Sequence, residues 1–253
     1  MKKLNKMDYK SFYKDVAKRQ GWSFKDMKYT KIKNSEFDYY EFISKHLKSK
    51  DIVLDIGCGD CHKSVKFFKA KKVICSDIEQ EMLNKAQENI INAKKEKMFE
   101  TMLLNKDKKY PFAKETFDFV ISRHCGVNTK EMYRVLKKNG IFVSEDIDKN
   151  DCLELKLMFG RGQGFKEEKN MSDELYEEYQ KLKFSEIKYF PIREVEYYET
   201  PEDLLYLLEN TPIIPNFNKD KNDMKIFKEY CKKHSTKLGI RLDRELYGFI
   251  LIK

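Results

Sequence analysis

The segment VLDIGCGDC, residues 53–61, is the feature that most constrains the fold of this chain. An apolar run carries Asp55 near its carboxyl end, and Gly57 and Gly59 follow at once. Glycine adopts positive φ without strain and lets a ligand approach the backbone without a Cβ in the way. A helix that we expect to begin near His62 adds unpaired N–H groups, which favour a carboxylate or phosphate. The segment therefore predicts a strand, a tight turn and a helix around a nucleotide-binding crevice.

A second aspartate stands at the end of the next apolar run. KKVICSD places Asp77 roughly 20 residues after Asp55, a spacing expected of a carboxylate that binds ribose hydroxyls. Open α/β sheets bind ligands in the crevice outside the carboxyl ends of their strands. We therefore expect both carboxylates at one crevice. Dinucleotide-binding folds share this arrangement, so the choice of cofactor depends on further motifs.

Short β-rich runs alternate with helical patterns from Asp51 onward. This alternation predicts an α/β fold, a Rossmann-like and mostly parallel seven-stranded sheet with helices on both faces. The helical pattern at 79–95 places five apolar side chains on one face, interpreted as contacts with the sheet: Met82, Leu83, Ala86, Ile90 and Ile91. The strands are predicted at 51–56, 71–77, 98–104, 117–123, 140–147, 184–199 and 247–253.

The length and patterning are typical of one domain over 1–253 with three parts. The aromatic-rich segment 1–50 is predicted as an N-terminal helical lid, packed either against the domain or over its pocket. The cofactor-binding half covers 51–147, and the substrate-side half covers 148–253. An insert at about 200–240 is predicted to be a helical cap over the substrate.

The start of that insert has a clear helix signal. Thr200 is a predicted N-cap and Pro201 occupies the first helical position. The apolar and aromatic side chains that follow are predicted to wall a closed pocket: Leu204, Leu205, Tyr206, Leu208, Pro212, Ile213 and Phe217.

Four stretches, in order, resemble motifs of the class I S-adenosylmethionine-dependent methyltransferases. VLDIGCGDC is similar to their first motif, and CSDIEQEML is similar to the acidic loop after their second strand. YPFAKETFDFVIS resembles their fourth-motif region, and EMYRVLKKNGIFV resembles the passage from helix to strand that follows. The resemblance covers about residues 50–147 and implies S-adenosylmethionine as the cofactor.

The resemblance also implies roles for individual residues. Asp55, Gly57 and Gly59 would line the methionine and sugar side of the cofactor. Asp77 would bind both ribose hydroxyls. Ile78 would make an apolar contact with adenine. Asn105 and Asp107 would lie near the adenine amino group, and Ser122 would close the pocket.

The chain departs from the family pattern at two turns. Cys61 stands where the family has its third glycine, and Asn139 replaces a glycine before Gly140. Asn tolerates left-handed geometry.

Cys58 and Cys61, followed by His62, have the spacing of a metal or redox pair. The nucleotide turn explains this spacing and no second pair of ligands is present, so we expect no metal.

Catalysis requires alignment of an acceptor with a methyl group, because the reaction implied is an in-line displacement. If a general base is used, His124 at the end of the fourth predicted strand is the best placed. Arg123 beside it is suited to anchor an anionic substrate. The alternative is that His124 only packs in a loop. Glu145 and Asp146, at the end of the fifth predicted strand, either face the acceptor or cap their loop.

A small-molecule acceptor is the leading hypothesis because the insert suits a closed pocket. A ribosomal RNA base methyltransferase is the alternative, favoured by a net charge of +9 and a compact passage after the fourth strand. Only seven of the 51 basic residues are arginines, however, and acidic residues are interleaved with the lysines. A cofactor-binding regulatory protein without turnover is a third hypothesis.

The remaining expectations concern location. No apolar run reaches the roughly 20 residues that a membrane-spanning helix needs, so we expect no membrane partner and a cytoplasmic protein. The six cysteines are expected to be free thiols.

Overall fold

A computed structural model describes residues 9–19, 21–24 and 26–253. The helices are α1 Tyr9–Arg19, α2 Tyr39–His46, α3 Ser64–Phe67, α4 Gln80–Asn92, α5 Thr129–Val135, α6 Leu153–Phe159, α7 Met171–Gln180, α8 Pro201–Asn210 and α9 Asp223–His234. The strands are β1 Tyr29–Asn34, β2 Ile52–Ile56, β3 Lys72–Asp77, β4 Phe99–Leu103, β5 Phe117–Arg123, β6 Leu136–Ile147, β7 Glu186–Tyr198, β8 Ser235–Thr236 and β9 Gly239–Ile252.

All of these strands belong to one sheet, in the order β1-β7-β9-β6-β5-β2-β3-β4, with β8 paired to β9. The five strands from β6 to β4 are parallel, while β9, β7 and β1 extend the sheet antiparallel. The predicted Rossmann-like α/β class is confirmed. Strands β2 and β5, in the middle of the parallel half, are almost wholly buried, as expected where both faces of a parallel sheet are covered.

The predicted count of seven strands is wrong, because β1 and β8 were missed. YTKIKN in β1 is almost wholly exposed and lies at the sheet edge, so it lacks the apolar alternation that marks a half-buried strand. β8 has only two residues. β9 also begins at Gly239 instead of 247, because its charged first half pairs with β7.

The helical prediction at 79–95 needs one correction. Ile91 is 50% exposed, whereas Met82, Leu83, Ala86 and Ile90 are buried. Ile91 follows Ile90 by about 100° of helical rotation, which turns its side chain away from the sheet. Helix α5 ends at Val135, because Leu136 already pairs with Phe117 of β5.

The parallel register brings the ends of β2, β3 and β5 to the same edge. Asp55 is level with Cys75 and Ile121, and Ile56 is level with Ser76 and Ser122. The loops that follow these three strands therefore lie together at the carboxyl-terminal end of the parallel strands.

The insert between β7 and β9 contains α8 and α9, as predicted. Thr200 accepts a hydrogen bond from the Asp203 N–H and forms a capping box with it, and Pro201 is the first helical residue. Leu204, Leu208 and Phe217 do not form an open wall, because they pack into a separate core with α6 and α9. Within the described residues, no helix has the length and apolarity needed to cross a membrane.

Candidate functional site

A cavity of about 560 Å³ opens at the sheet edge where β2, β3 and β5 end. The glycine turn 57–61 and the loops after β3 and β5 form one side of it. The segment before β1, Tyr40 of α2 and Lys63 beside it, together with parts of β7, β9 and the insert, form the other side. We call these the strand-loop side and the distal side.

The turn after β2 leaves no room for side chains at its glycines. Gly57 has φ +69°, and a Cβ there would lie 2.4 Å from the Cys125 Cβ. Gly59 has φ +58°, and its Cβ would lie 2.7 Å from Cδ1 of Trp22. The N–H group of Gly57 donates to the Ser76 carbonyl at 2.8 Å and ties the turn to β3. The turn therefore presents bare backbone to the cavity.

The two departures from the family pattern keep glycine-like backbone. Cys61 has φ +56° and Asn139 has φ +62°. Both are in the left-handed region that glycine reaches most easily. The replacement of glycine by Cys61 has therefore preserved the local turn.

Asp55 and Asp77 both line the strand-loop side. Asp55 accepts a hydrogen bond from the Ser64 hydroxyl at 2.9 Å, and burial raises the pKa of its carboxyl group to about 8. Asp77 accepts from the N–H groups of Gly59 at 3.1 Å and Glu79 at 3.0 Å. Burial also raises the pKa of Asp77. The turn and the second strand thus hold two desolvated carboxyl groups at one crevice.

The structure places eight of the ten candidate site residues on the cavity wall: Asp55, Gly57, Gly59, Asp77, Ile78, Asp107, Arg123 and His124. Asn105 and Ser122 are not in this wall. The Asn105 side chain accepts from the Asp107 N–H at 2.9 Å and shapes its own loop. Ser122 is buried and donates to the Cys125 carbonyl, which fixes the loop after β5.

Arg123 and His124 are closely tied to Glu145. The Arg123 Nε donates to Glu145 Oε1 at 2.8 Å, and the His124 Nε2 lies 4.0 Å from the same oxygen. His124 has φ +54°, a conformation uncommon outside glycine and often found at functional sites. Burial, followed by the charge of Arg123, lowers the pKa of His124 well below its usual range. Its imidazole is therefore neutral near pH 7.

The distal side adds residues that the sequence did not indicate. Lys63 Nζ lies 5.6 Å from the Tyr40 ring centroid, and Arg123 Cζ lies 5.7 Å from it. Burial and then Arg123 lower the pKa of Lys63 to about 8. Arg244 bonds to Asp151 at 2.8 Å and to Glu196 at 3.1 Å. Lys63 directly follows the glycine motif and could have been noticed there, whereas Arg244 carries no local signal.

Part of the N-terminal segment lies across the cavity. The backbone N–H of Trp22 donates to the Asp60 side chain at 3.0 Å, and the Trp22 ring covers Gly59. The centroids of the Phe24 ring and the Tyr206 ring of the insert lie 6.0 Å apart, in an edge-to-face contact. The segment therefore connects the glycine turn to the insert over the pocket. Besides the expected helices it contains β1. Residues 1–8, 20 and 25 of the predicted lid lie outside the described residues.

A group of thiols lies at the base of the turn. The sulfur atoms of Cys58, Cys61 and Cys75 all lie within 4.8 Å of one another. Hydrogen bonds, first from Cys58 and then from Cys61, lower the pKa of Cys75 to about 7. The sequence showed only the first two cysteines together, because Cys75 comes from β3.

Comparison with known proteins adds a family and a fold. A family model described as a methyltransferase domain matches residues 47–211. A solved structure of a candidate methyltransferase from Bacillus halodurans has a TM-score of 0.58 at 19% identity, over 85% of this chain and 96% of that one. The YcgJ protein of Bacillus subtilis has a TM-score of 0.54 at 17% identity, over 85% and 97%. These two likenesses show a shared fold.

A sequence relative is found in an archaeon. The chain is 32% identical over 149 residues to an uncharacterised protein of Methanocaldococcus jannaschii. The match covers 54% of this chain and 51% of that protein, so the chain spans about half the length of this curated relative.

Proposed function

Because the chain belongs to the methyltransferase-domain family, we propose that it transfers a methyl group from S-adenosylmethionine to a small-molecule acceptor. The observation that carries this proposal is the covered cavity. Trp22 and Phe24 lie over one side of it, and Pro212 and Ile213 of the insert reach its wall. A space of about 560 Å³ suits a cofactor with a compact acceptor. A folded RNA would need an open surface.

The strand-loop side fits the cofactor. Gly57 and Gly59 line the cavity, and we assign the methionine and sugar portions of the cofactor to this turn. Asp77 would bind the ribose hydroxyls, and Ile78, which is 53% exposed, offers an apolar surface for adenine. We assign Asn105 and Ser122 to shaping their loops, since neither reaches the cavity wall.

We propose that His124 takes up the proton released by the methyl acceptor, because its imidazole stays neutral and lines the cavity. Glu145 already neutralises Arg123. Lys63, by contrast, has no carboxylate partner within the described ranges. We therefore assign the binding of an anionic group on the acceptor to Lys63 more than to Arg123.

The test combines binding with transfer of label. Calorimetry with S-adenosylhomocysteine should show one site per chain, and a labelled methyl group from S-adenosylmethionine should enter the small-molecule fraction of a cell extract. Label in ribosomal RNA, with binding that weakens steeply with salt, would replace the proposal by the RNA alternative. Cofactor binding without transfer to any fraction would favour a regulatory protein.

A further inference from the structure

Three cysteines meet beneath the glycine turn although one of them is distant in sequence. Cys58 belongs to the turn, Cys61 ends it in a left-handed conformation, and Cys75 comes from β3. Their sulfur atoms lie within 4.8 Å of one another. Backbone hydrogen bonds hold the cluster together, because the N–H groups of Gly57 and Cys58 both donate to the carbonyl of Ser76, next to Cys75.

The cluster is both sheltered and reachable. Cys61 is 2% exposed and Cys75 is fully buried, whereas Cys58 is half-buried. Cys58 and Cys61 both line the cavity, and all three are free thiols. A small ion can therefore enter from the cavity, while the surrounding core keeps the sulfur atoms in place.

The spacing of the three sulfur atoms is compatible with a metal site. A zinc ion binds thiolate sulfur at about 2.3 Å, which puts the sulfur atoms of one tetrahedral site about 4 Å apart. Small side-chain rotations reach that spacing from the observed one. Soft thiolate ligands select Zn²⁺ and Cu⁺ over harder cations. His62 takes no part in the group, since its Nδ1 lies 2.7 Å from Asp60 Oδ1.

We propose that Cys58, Cys61 and Cys75 form a binding site for a soft, thiophilic cation, Zn²⁺ or Cu⁺. Three thiolates complete a trigonal Cu⁺ site. For Zn²⁺ they leave a fourth position for water or another ligand from the cavity. Binding releases the thiol protons. The site depends on the thiols alone and stands apart from the identity of the methyl acceptor.

The experiment titrates the reduced full-length chain with Zn²⁺ and, separately, with Cu⁺, each in competition with a chromophoric chelator. We expect one equivalent of at least one ion per chain. Cys58→Ser is the main variant, because Cys58 is half-buried and its replacement disturbs the core least. Its affinity should fall by at least about 100-fold, since even outer-shell changes cost 10–100-fold.

Cys231→Ser is the matched control, because Cys231 is a buried thiol in the core of the insert, away from the cluster. It should bind the ion as the parent does. Cys61→Ser provides a second removal, and circular dichroism checks that each variant is folded. No stoichiometric uptake of either ion by the parent, or equal uptake by the folded Cys58→Ser variant, would overturn the site.

Discussion

The two sides of the cavity are built in different ways. The strand-loop side takes its glycine turn and its two carboxyl groups from consecutive strand ends of the parallel half. The distal side takes Tyr40, Lys63 and Arg244 from three separate parts of the chain, and its surface is made of side chains. Backbone geometry thus shapes one side, while paired charges and aromatic rings shape the other. Variants that act on one side alone can test this division.

The largest expected effect is on the backbone of the strand-loop side. Gly57→Ala should abolish detectable cofactor binding, because its Cβ would lie 2.4 Å from Cys125 and φ is +69°. Calorimetry with S-adenosylhomocysteine measures the loss of cofactor binding. Gly160→Ala is the matched control: it has a similar φ of +63° with nothing within 4 Å. It should lose about 1 kcal/mol of stability yet bind the cofactor normally. Equal binding by both variants would contradict the backbone argument.

The next effect is on chemistry at the junction of the two sides. His124→Asn should lower kcat by about 100-fold or more if His124 accepts a proton, with little change in cofactor affinity. Asn is chosen because it tolerates the left-handed backbone at this position. His62→Asn, on the same cavity wall, is the control. An unchanged kcat for His124→Asn would reduce His124 to a packing residue.

The pH profile provides a further check on His124. Its pKa is lowered well below 6.5, so the imidazole should stay neutral as pH falls through the range in which an ordinary histidine becomes protonated. The rate should therefore remain constant down to at least about pH 6.5. A steep loss between pH 7 and 6 would show that the imidazole is more accessible to water than the buried geometry implies.

Asp77→Asn should weaken binding of S-adenosylhomocysteine by about 10- to 100-fold, because hydrogen bonds to a charged group are worth about 1.5–3 kcal/mol. The variant keeps an acceptor for the Gly59 N–H. Asp107→Asn, on the same wall, has a side chain that is 72% exposed and should change affinity much less. The reverse order of effects would move the ribose contact away from Asp77.

On the distal side, Lys63→Met should raise the KM for an anionic acceptor by about tenfold and leave cofactor affinity unchanged. The pKa of Lys63 is lowered to about 8, so its amine is charged below pH 8 and neutral above it. The parent KM should therefore rise as pH increases through 8, and the variant should lose that rise. A fall in cofactor affinity instead would contradict the division into two sides.

The local part of the candidate site could be placed at the cavity from the sequence. Asp55, Gly57 and Gly59 are neighbours on a strand and its turn, and Asp77 ends the next strand, so periodicity and spacing were enough to place them. Asn105 and Ser122 were assigned to the cofactor pocket by the family resemblance. Whether such a side chain faces the cavity depends on the path of the loop, and here both bond to their own loops.

The distal side could not be predicted in the same way. β1 was missed because its exposed residues lack a pattern, yet its pairing with β7 positions the segment before it. Arg244 binds Asp151 across 93 positions of sequence. Cys75 joins the two cysteines of the turn only through the register of β2 and β3. Contacts of this kind depend on tertiary packing, which no local motif contains.

The smallest expected effects separate the two sides most finely, because they use neighbouring residues of one segment. Trp22 covers Gly59, whereas Phe24 contacts Tyr206 of the insert. Trp22→Ala should weaken S-adenosylhomocysteine binding by about 3- to 10-fold, because its ring covers the glycine turn and an aromatic contact is worth about 0.5–1.5 kcal/mol. Phe24→Ala should leave that affinity unchanged and raise the acceptor KM by a similar factor. If both variants changed both constants equally, the segment would act as one rigid cover and the two sides of the cavity would not be independent.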